Sequence, residues 1–105
     1  MKRMMSMCLV AATAAFIAPQ TGTAADAAAG KEKASLCMTC HGVNGISTTP
    51  LVPNLAGQKE AYIVKALKDF REGKRDSSIM RSMASNLSDG DIADLAAFFS
   101  SLSPK

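Results

Sequence analysis

The sequence has few of the side chains that bind nucleic acid. It contains no tryptophan, one tyrosine and one histidine among 105 residues, and its formal charge of +3 falls to +1 once Lys2 and Arg3 are left out. Nucleic-acid binding usually needs a basic surface with aromatic side chains on which bases can stack. A near-neutral chain with one tyrosine is therefore a poor candidate for it.

The sequence also lacks an apolar run long enough to cross a membrane. Residues 6–18 are apolar and almost uncharged, but this run is shorter than the roughly 20 residues that a spanning helix needs. Two basic residues precede it, and Pro19 and then small residues follow it, which is the order of a secretory signal. We predict a cleaved signal peptide at 1–25 and a periplasmic domain at 26–105, without stable insertion in a membrane.

Cysteine is scarce, and its spacing is informative. Cys8 lies in the predicted signal, which leaves Cys37 and Cys40. A disulfide that closes so small a loop would constrain the unfolded chain only weakly. The two cysteines belong to Cys-Met-Thr-Cys-His, which ends at His41, and Cys-x-x-Cys-His is the attachment sequence of c-type haem. On a helix the three side chains share one face, so we expect two thioether bonds to haem and an imidazole on its iron.

Other readings of this motif fit less well. A thioredoxin-like Cys-x-x-Cys belongs to a strand–helix unit, and no such pattern is visible. A zinc site would need a fourth ligand or a water, although His41 is the only histidine. A Cys–His catalytic pair is not normally adjacent in sequence.

The single histidine restricts the second axial ligand of the iron. A second histidine is unavailable within the chain, so the soft thioether of methionine is the obvious candidate, and it raises the reduction potential. Four of the seven methionines lie in the predicted signal, and Met38 is held between the two attachment cysteines. The residues themselves therefore leave Met80 and Met83 open as the distal ligand.

The pattern of the domain predicts an all-α fold. No strand-like alternation is present, and Ser88 with Asp91 forms a capping box at the start of the last helix. We predict three helices and two irregular loops: helices over about 26–40, about 58–72 and from 88 to about 102, with loops at 42–56 and 74–87. So short a chain makes a thin core, and a buried planar macrocycle would supply the missing apolar surface.

The chain resembles the class I c-type cytochromes, above all the short bacterial ones and each half of the tandem two-haem periplasmic ones. The stretches that carry the resemblance are 37–42, 53–58, 70–75, 79–81 and 87–92. It implies an all-α fold in which the N- and C-terminal helices cross, with Gly30 allowing close packing near Phe98 and Phe99. It also implies that Met80 is the distal ligand and that Pro53 offers its carbonyl to His41.

The expected function is electron transfer by one covalent haem c, without substrate chemistry, so the protein is not expected to be an enzyme. Redox proteins are the expected partners of a monomer, and Arg75 is a candidate partner for a haem propionate. The basic row Lys59, Lys65, Lys68 and Arg71 is either a docking patch or a solvated helix face. The alternatives are a haem subunit of a larger oxidoreductase and a haem-based sensor with an open sixth position.

Overall fold

The computed structural model describes residues 8–13 and 24–105. The described part of the chain contains helices and irregular segments but no strand, which confirms the all-α prediction. Its helices are α1 (Ala27–Lys33), α2 (Ser35–His41), α3 (Glu60–Arg71), α4 (Ser78–Ala84) and α5 (Asp89–Ser101). None of these helices has the length and apolar character needed to span a bilayer. Most of the predicted signal peptide lies outside the described residues.

The predicted first helix is divided in two. Asp26 caps α1, since its carboxylate accepts hydrogen bonds from the backbone N–H groups of Ala28 and Ala29. At Ala34 the backbone N–H turns back to the carbonyl of Lys31, at 3.3 Å, and this tighter bond ends α1. Because α2 begins at the next residue, α1 fixes the position of the cysteine motif directly.

Gly30 allows α1 to lie against α5. A Cβ atom at this position would stand 2.0 Å from the carbonyl oxygen of Asp94 and 2.8 Å from the Cβ of Phe98. The backbones of α1 and α5 cannot separate far enough to relieve such a contact, so only glycine fits at this position. The predicted close approach of the first and last helices at Gly30 is confirmed, with the backbone of Asp94 as the nearest neighbour.

An ion pair closes the edge of the same contact. The ammonium of Lys33 lies 2.9 Å from Asp91 and 2.6 Å from Asp94. Hydrogen bonds to these carboxylates raise the pKa of Lys33. The backbone N–H of Asp26 and the Lys33 ammonium lower the pKa of Asp94. The three charges therefore stay ionised at neutral pH and join α1 to α5.

The core is built mainly from α5. Its N-terminus has the predicted capping box, in which Ser88 and Asp91 exchange hydrogen bonds of 3.0 Å. The most deeply buried side chains of the described chain include Ile92, Leu95 and Phe99. Ile63 of α3 and Ala34 pack in the same cluster. This core is small, as the sequence predicts.

The predicted loop 74–87 contains a helix, so the loop assignment is wrong there. α4 occupies seven residues, and Ala84 is its only buried one. Seven residues span only about two helical turns, fewer than the roughly 11–18 residues over which an apolar period can be recognised, so the pattern does not predict this helix. The predicted loop 42–56 has no helix.

The Gly30 contact can be tested against a second helical glycine. Gly30→Ala should lower the free energy of unfolding by about 2–3 kcal/mol, because its methyl group meets backbone. Gly90→Ala should raise it by about 0.4–1 kcal/mol, because a Cβ there meets only Ser88 Oγ at 3.7 Å. Urea unfolding of the purified protein, followed by circular dichroism, measures both. Equal effects of the two substitutions would contradict the packing described.

Candidate functional site

A single cleft of about 450 Å³ collects the predicted site residues. Its size falls within the range of small-molecule and cofactor sites, which is about 300–1,000 Å³. The wall combines side chains of α2, α3, α4 and α5 with the irregular segment 51–55, and most of it is apolar. The predicted residues that line it are Cys37, Cys40, His41, Pro53, Arg75 and Met80, together with Met83.

One wall of the cleft carries the cysteine motif. Cys37 is half-buried and Cys40 is exposed, and both are free thiols. Burial raises the pKa of the Cys37 thiol, so in the unmodified chain this sulfur is neutral and suits an apolar wall. His41, at the end of α2, is only 8% exposed. The helix thus presents two thiols and one buried imidazole to the same cleft.

The His41 ring is held by Pro53. The Nδ1 atom of His41 lies 2.7 Å from the carbonyl oxygen of Pro53. A carbonyl can only accept, so the neutral ring carries its proton on Nδ1 and leaves the Nε2 lone pair free. This is the tautomer that binds a metal through Nε2, with the second nitrogen fixed by a hydrogen bond.

The segment that carries Pro53 is itself fixed by an earlier turn. The N–H groups of Leu55 and Ala56 both donate to the carbonyl of Gly45, at 2.8 and 2.9 Å. The side-chain oxygen of Asn54 accepts from the N–H of Ser47 at 2.7 Å. Gly45 has φ +72°, a conformation that favours glycine. These bonds fix the Pro53 carbonyl opposite the histidine.

Two methionines of α4 line the cleft with the cysteine motif. Met80 is in the first turn of α4, and Met83 lies three residues further on. Residues three apart share a helix face, and both of these side chains are half-buried in the cleft wall. Two thioether sulfurs are therefore available to one ligand in the cleft.

Arg75 places a positive charge at the cleft. Its guanidinium carbon lies 4.6 Å from the centre of the Phe70 ring, within the range of a cation–π contact. The same guanidinium donates to the hydroxyl of Tyr62 at 3.4 Å. Among the described residues, no carboxylate forms an ion pair with it. The arrangement leaves Arg75 able to bind an acidic group of a ligand.

The basic row on α3 is not a uniform docking face. Lys65 pairs with Asp69 on its own helix. Arg71 donates to the carbonyl of Leu87 at 3.1 Å and pairs with Asp89 at 2.8 Å, which lowers the pKa of Asp89. Arg71 thus ties α3 to the connection between α4 and α5. Sequence reasoning missed this role, because its partners lie far along the chain and no local pattern marks them.

The residues of the cleft fit a haem group. Two unpaired thiols and an imidazole with a free Nε2 share one wall, and methionine thioethers lie on another helix of the same apolar cleft. Thioether attachment and His/Met ligation are the donor chemistry of c-type haem. Together with the contact of first and last helices, this site defines a c-type cytochrome.

Sequence relationships agree with that class. The family model for cytochrome c matches residues 27–103. The chain therefore belongs to the cytochrome c family, as a class I c-type cytochrome, and the resemblance seen in the sequence is confirmed. The predicted covalent haem c is confirmed as the cofactor, and the function at this level is haem-based electron transfer.

Individual relatives differ in length. The chain is 50% identical over 78 residues to cytochrome c4 of Pseudomonas aeruginosa, covering 74% of this chain and 39% of that protein. It is 46% identical over 81 residues to cytochrome c-554(548) of Halomonas halodenitrificans, and the match covers 74% of this chain and 98% of that protein. The crystal structure of reduced cytochrome c4 from Pseudomonas stutzeri matches with a TM-score of 0.67 at 37% identity. This match covers 73% of this chain and 48% of that one. The chain thus spans less than half of each of these two cytochrome c4 proteins.

Two more distant relatives are named after a redox partner. One is the "thiosulfate dehydrogenase electron acceptor" of Thiomonas intermedia, 36% identical over 78 residues, covering 73% of this chain and 36% of that protein. The other is the "cytochrome subunit of sulfide dehydrogenase" of Chlorobaculum tepidum, 36% identical over 69 residues, covering 66% and 62%.

Covalent attachment can be tested with a matched cysteine control. Replacing Cys37 and Cys40 together by serine should abolish accumulation of the haem protein, because the bare chain has too small a core to persist. Cys8→Ser should leave the yield unchanged, since Cys8 is outside the site. Acid-acetone extraction of the wild-type protein should leave the colour with the protein. A folded, stable, haem-free double variant would contradict the prediction.

Proposed function

We propose that the mature chain is a periplasmic, monomeric electron carrier in which His41 and Met80 are the two axial ligands of one haem c. The observation that carries this proposal is the 2.7 Å contact between His41 Nδ1 and the Pro53 carbonyl. It holds the imidazole in the tautomer that leaves Nε2 for the iron. The bound haem supplies an iron that changes reversibly between the ferrous and ferric states.

The protein's own part in this function is to hold the ligands and exclude water. Met80 is preferred over Met83 because Ile79-Met80-Arg81 resembles the ligand segment of class I cytochromes. The apolar cleft wall, to which Leu95 and Phe99 contribute, keeps the surroundings of the iron dry. Solvent access and local polarity tune the reduction potential. A site with both axial positions filled by side chains leaves none for a substrate, which supports a carrier rather than an enzyme.

Arg75 is proposed to bind a haem propionate. Its guanidinium is placed at the cleft by Phe70 and Tyr62 and has no acidic partner among the described residues. An arginine in this position suits a carboxylate by charge and by geometry.

The proposed processing site has support from the contacts of Asp26. The backbone N–H of Asp26 lies 2.9 Å from a carboxylate oxygen of Asp94. Cleavage before Asp26 would turn this nitrogen into an ammonium group, and the hydrogen bond into an ion pair between α1 and α5. The Asp26 carboxylate, which caps α1, would offset the unfavourable effect of that charge at a helix N-terminus. Export to the periplasm is proposed on the same signal pattern.

A second candidate is a haem subunit of a larger oxidoreductase. The relatives named after thiosulfate and sulfide dehydrogenases favour it. In that case the protein should co-purify with a catalytic polypeptide, whereas a free carrier should elute alone from a sizing column and react rapidly with a soluble electron donor.

The mass of the purified haem protein tests the processing site. The expected mature chain begins at Asp26, within a few positions, and is found in the periplasmic fraction. A protein that retains Met1 and stays with the membrane would contradict both the cleavage and the location.

The distal ligand can be tested with two matched substitutions. Met80→Leu should abolish the weak far-red sulfur-to-iron band of the ferric protein and allow the reduced protein to bind carbon monoxide. Met83→Leu should keep the band, and because it nearly conserves volume it should cost less than about 1.5 kcal/mol of stability. Visible spectra of both variants decide the assignment. The opposite pattern would make Met83 the ligand, and absence of the band from the ferric wild-type protein would reject methionine ligation.

A further inference from the structure

We propose that Ser77 is a positioning residue that keeps Met80 in the haem cleft by capping α4. The proposal takes Met80 as the iron ligand and therefore rests on the proposed function. Its new content is that a hydroxyl group outside the ligand set controls how often the sixth position opens.

Ser77 bonds directly to the backbone of the ligand residue. Its backbone is extended, with φ −169° and ψ 111°, and its Oγ accepts a hydrogen bond from the N–H of Met80 at 3.2 Å. Its carbonyl accepts from the N–H of Arg81 at 2.8 Å, which begins the helical hydrogen bonding. Ser77 also lines the cleft. The cap and the ligand are thus two parts of one helical turn.

The two ends of α4 are held unequally. At the C-terminal end Ala84 is completely buried, and Arg71 holds the carbonyl of Leu87 just beyond. Before the helix, the N–H groups of Lys74 and Arg75 bond to the carbonyl of Asp69. Between Arg75 and the first turn of the helix, the Ser77 side chain supplies the cap. Fraying would therefore start at the end that carries Met80.

A short helix depends strongly on such a cap. Forming the first turn is costly, and seven residues recover little of that cost through further hydrogen bonds. Loss of a serine cap typically changes a helical equilibrium by about five-fold, which corresponds to ~1 kcal/mol. Because an external ligand binds only when the sixth position is open, its apparent affinity rises in proportion to the open population.

The chain contains a matched control in Ser88. Its Oγ accepts from the N–H of Asp91 at 3.0 Å and caps α5 in the same way. Ser88 is not among the residues that line the haem cleft. Its removal weakens a helix without loosening the turn that carries Met80.

The experiment compares imidazole binding to the ferric haem protein in four forms: wild type, Ser77→Ala, Ser77→Thr and Ser88→Ala. Ser77→Ala should bind imidazole about five-fold more tightly than wild type, from the loss of the cap. Ser77→Thr, which keeps the hydroxyl, should stay within about two-fold of wild type, since threonine also caps helices. Ser88→Ala should lower resistance to urea but leave imidazole affinity unchanged.

Two results would overturn the proposal. One is an unchanged imidazole affinity in Ser77→Ala, and the other is an equal rise in Ser77→Ala and Ser88→Ala, which would indicate general destabilisation. The far-red band of Met80→Leu separates this failure from a failure of the proposed ligation. Retention of that band would reject Met80 as the ligand. Loss of the band, together with an unchanged imidazole affinity in Ser77→Ala, would reject only the role of Ser77.

Discussion

Gly30 brings the backbone of α1 against that of α5, and the position of the haem cleft follows from this contact. α1 runs into α2 after the single residue Ala34, so the placement of α1 also places the cysteine motif and His41. α5 carries Leu95 and Phe99, which belong both to the core and to the cleft wall. A methyl group at position 30 would push α1 away from α5, and this would move the attachment cysteines relative to the core on which the cofactor packs.

The remaining walls of the cleft are held by hydrogen bonds rather than by a large apolar core. The Pro53 segment is fixed to Gly45 and the connection after α4 to Arg71, and α4 itself begins at the Ser77 cap. The first of these bonds places the carbonyl that orients His41, and the other two hold the two ends of the helix that carries the proposed ligand Met80. A small domain can position a large cofactor in this way, because a hydrogen bond fixes direction where packing area is short.

The features that could be predicted from the sequence are those with a local signal. The cysteine motif, the capping box at Ser88 and the glycine in the first helix are each recognisable within a few residues, and the helix-forming pattern of α3 and α5 extends over more than two turns. α4 could not be predicted because seven residues span only about two turns, too few to establish an apolar period, although Ser77 is a cap of the usual kind. The contacts of Arg71 with Leu87 and Asp89 could not be predicted, since these residues lie 16 and 18 positions further along the chain. Distant pairing leaves no mark in a single sequence.

Folding and ligation are linked in a chain of this size. Ile79 and Leu51 line the cleft and are largely exposed, so a cofactor that packs against them would bury apolar surface. A group that packs against them in the folded protein adds to the free energy of unfolding, since the unfolded chain offers it no such packing. A covalent attachment keeps that contribution from being lost by dissociation. The two thioether bonds thus act on stability as well as on retention of the haem. The least firmly held part of the site is then the side of the iron opposite His41. There the proposed ligand Met80 would be held only by a coordinate bond and by the short helix α4 that carries it.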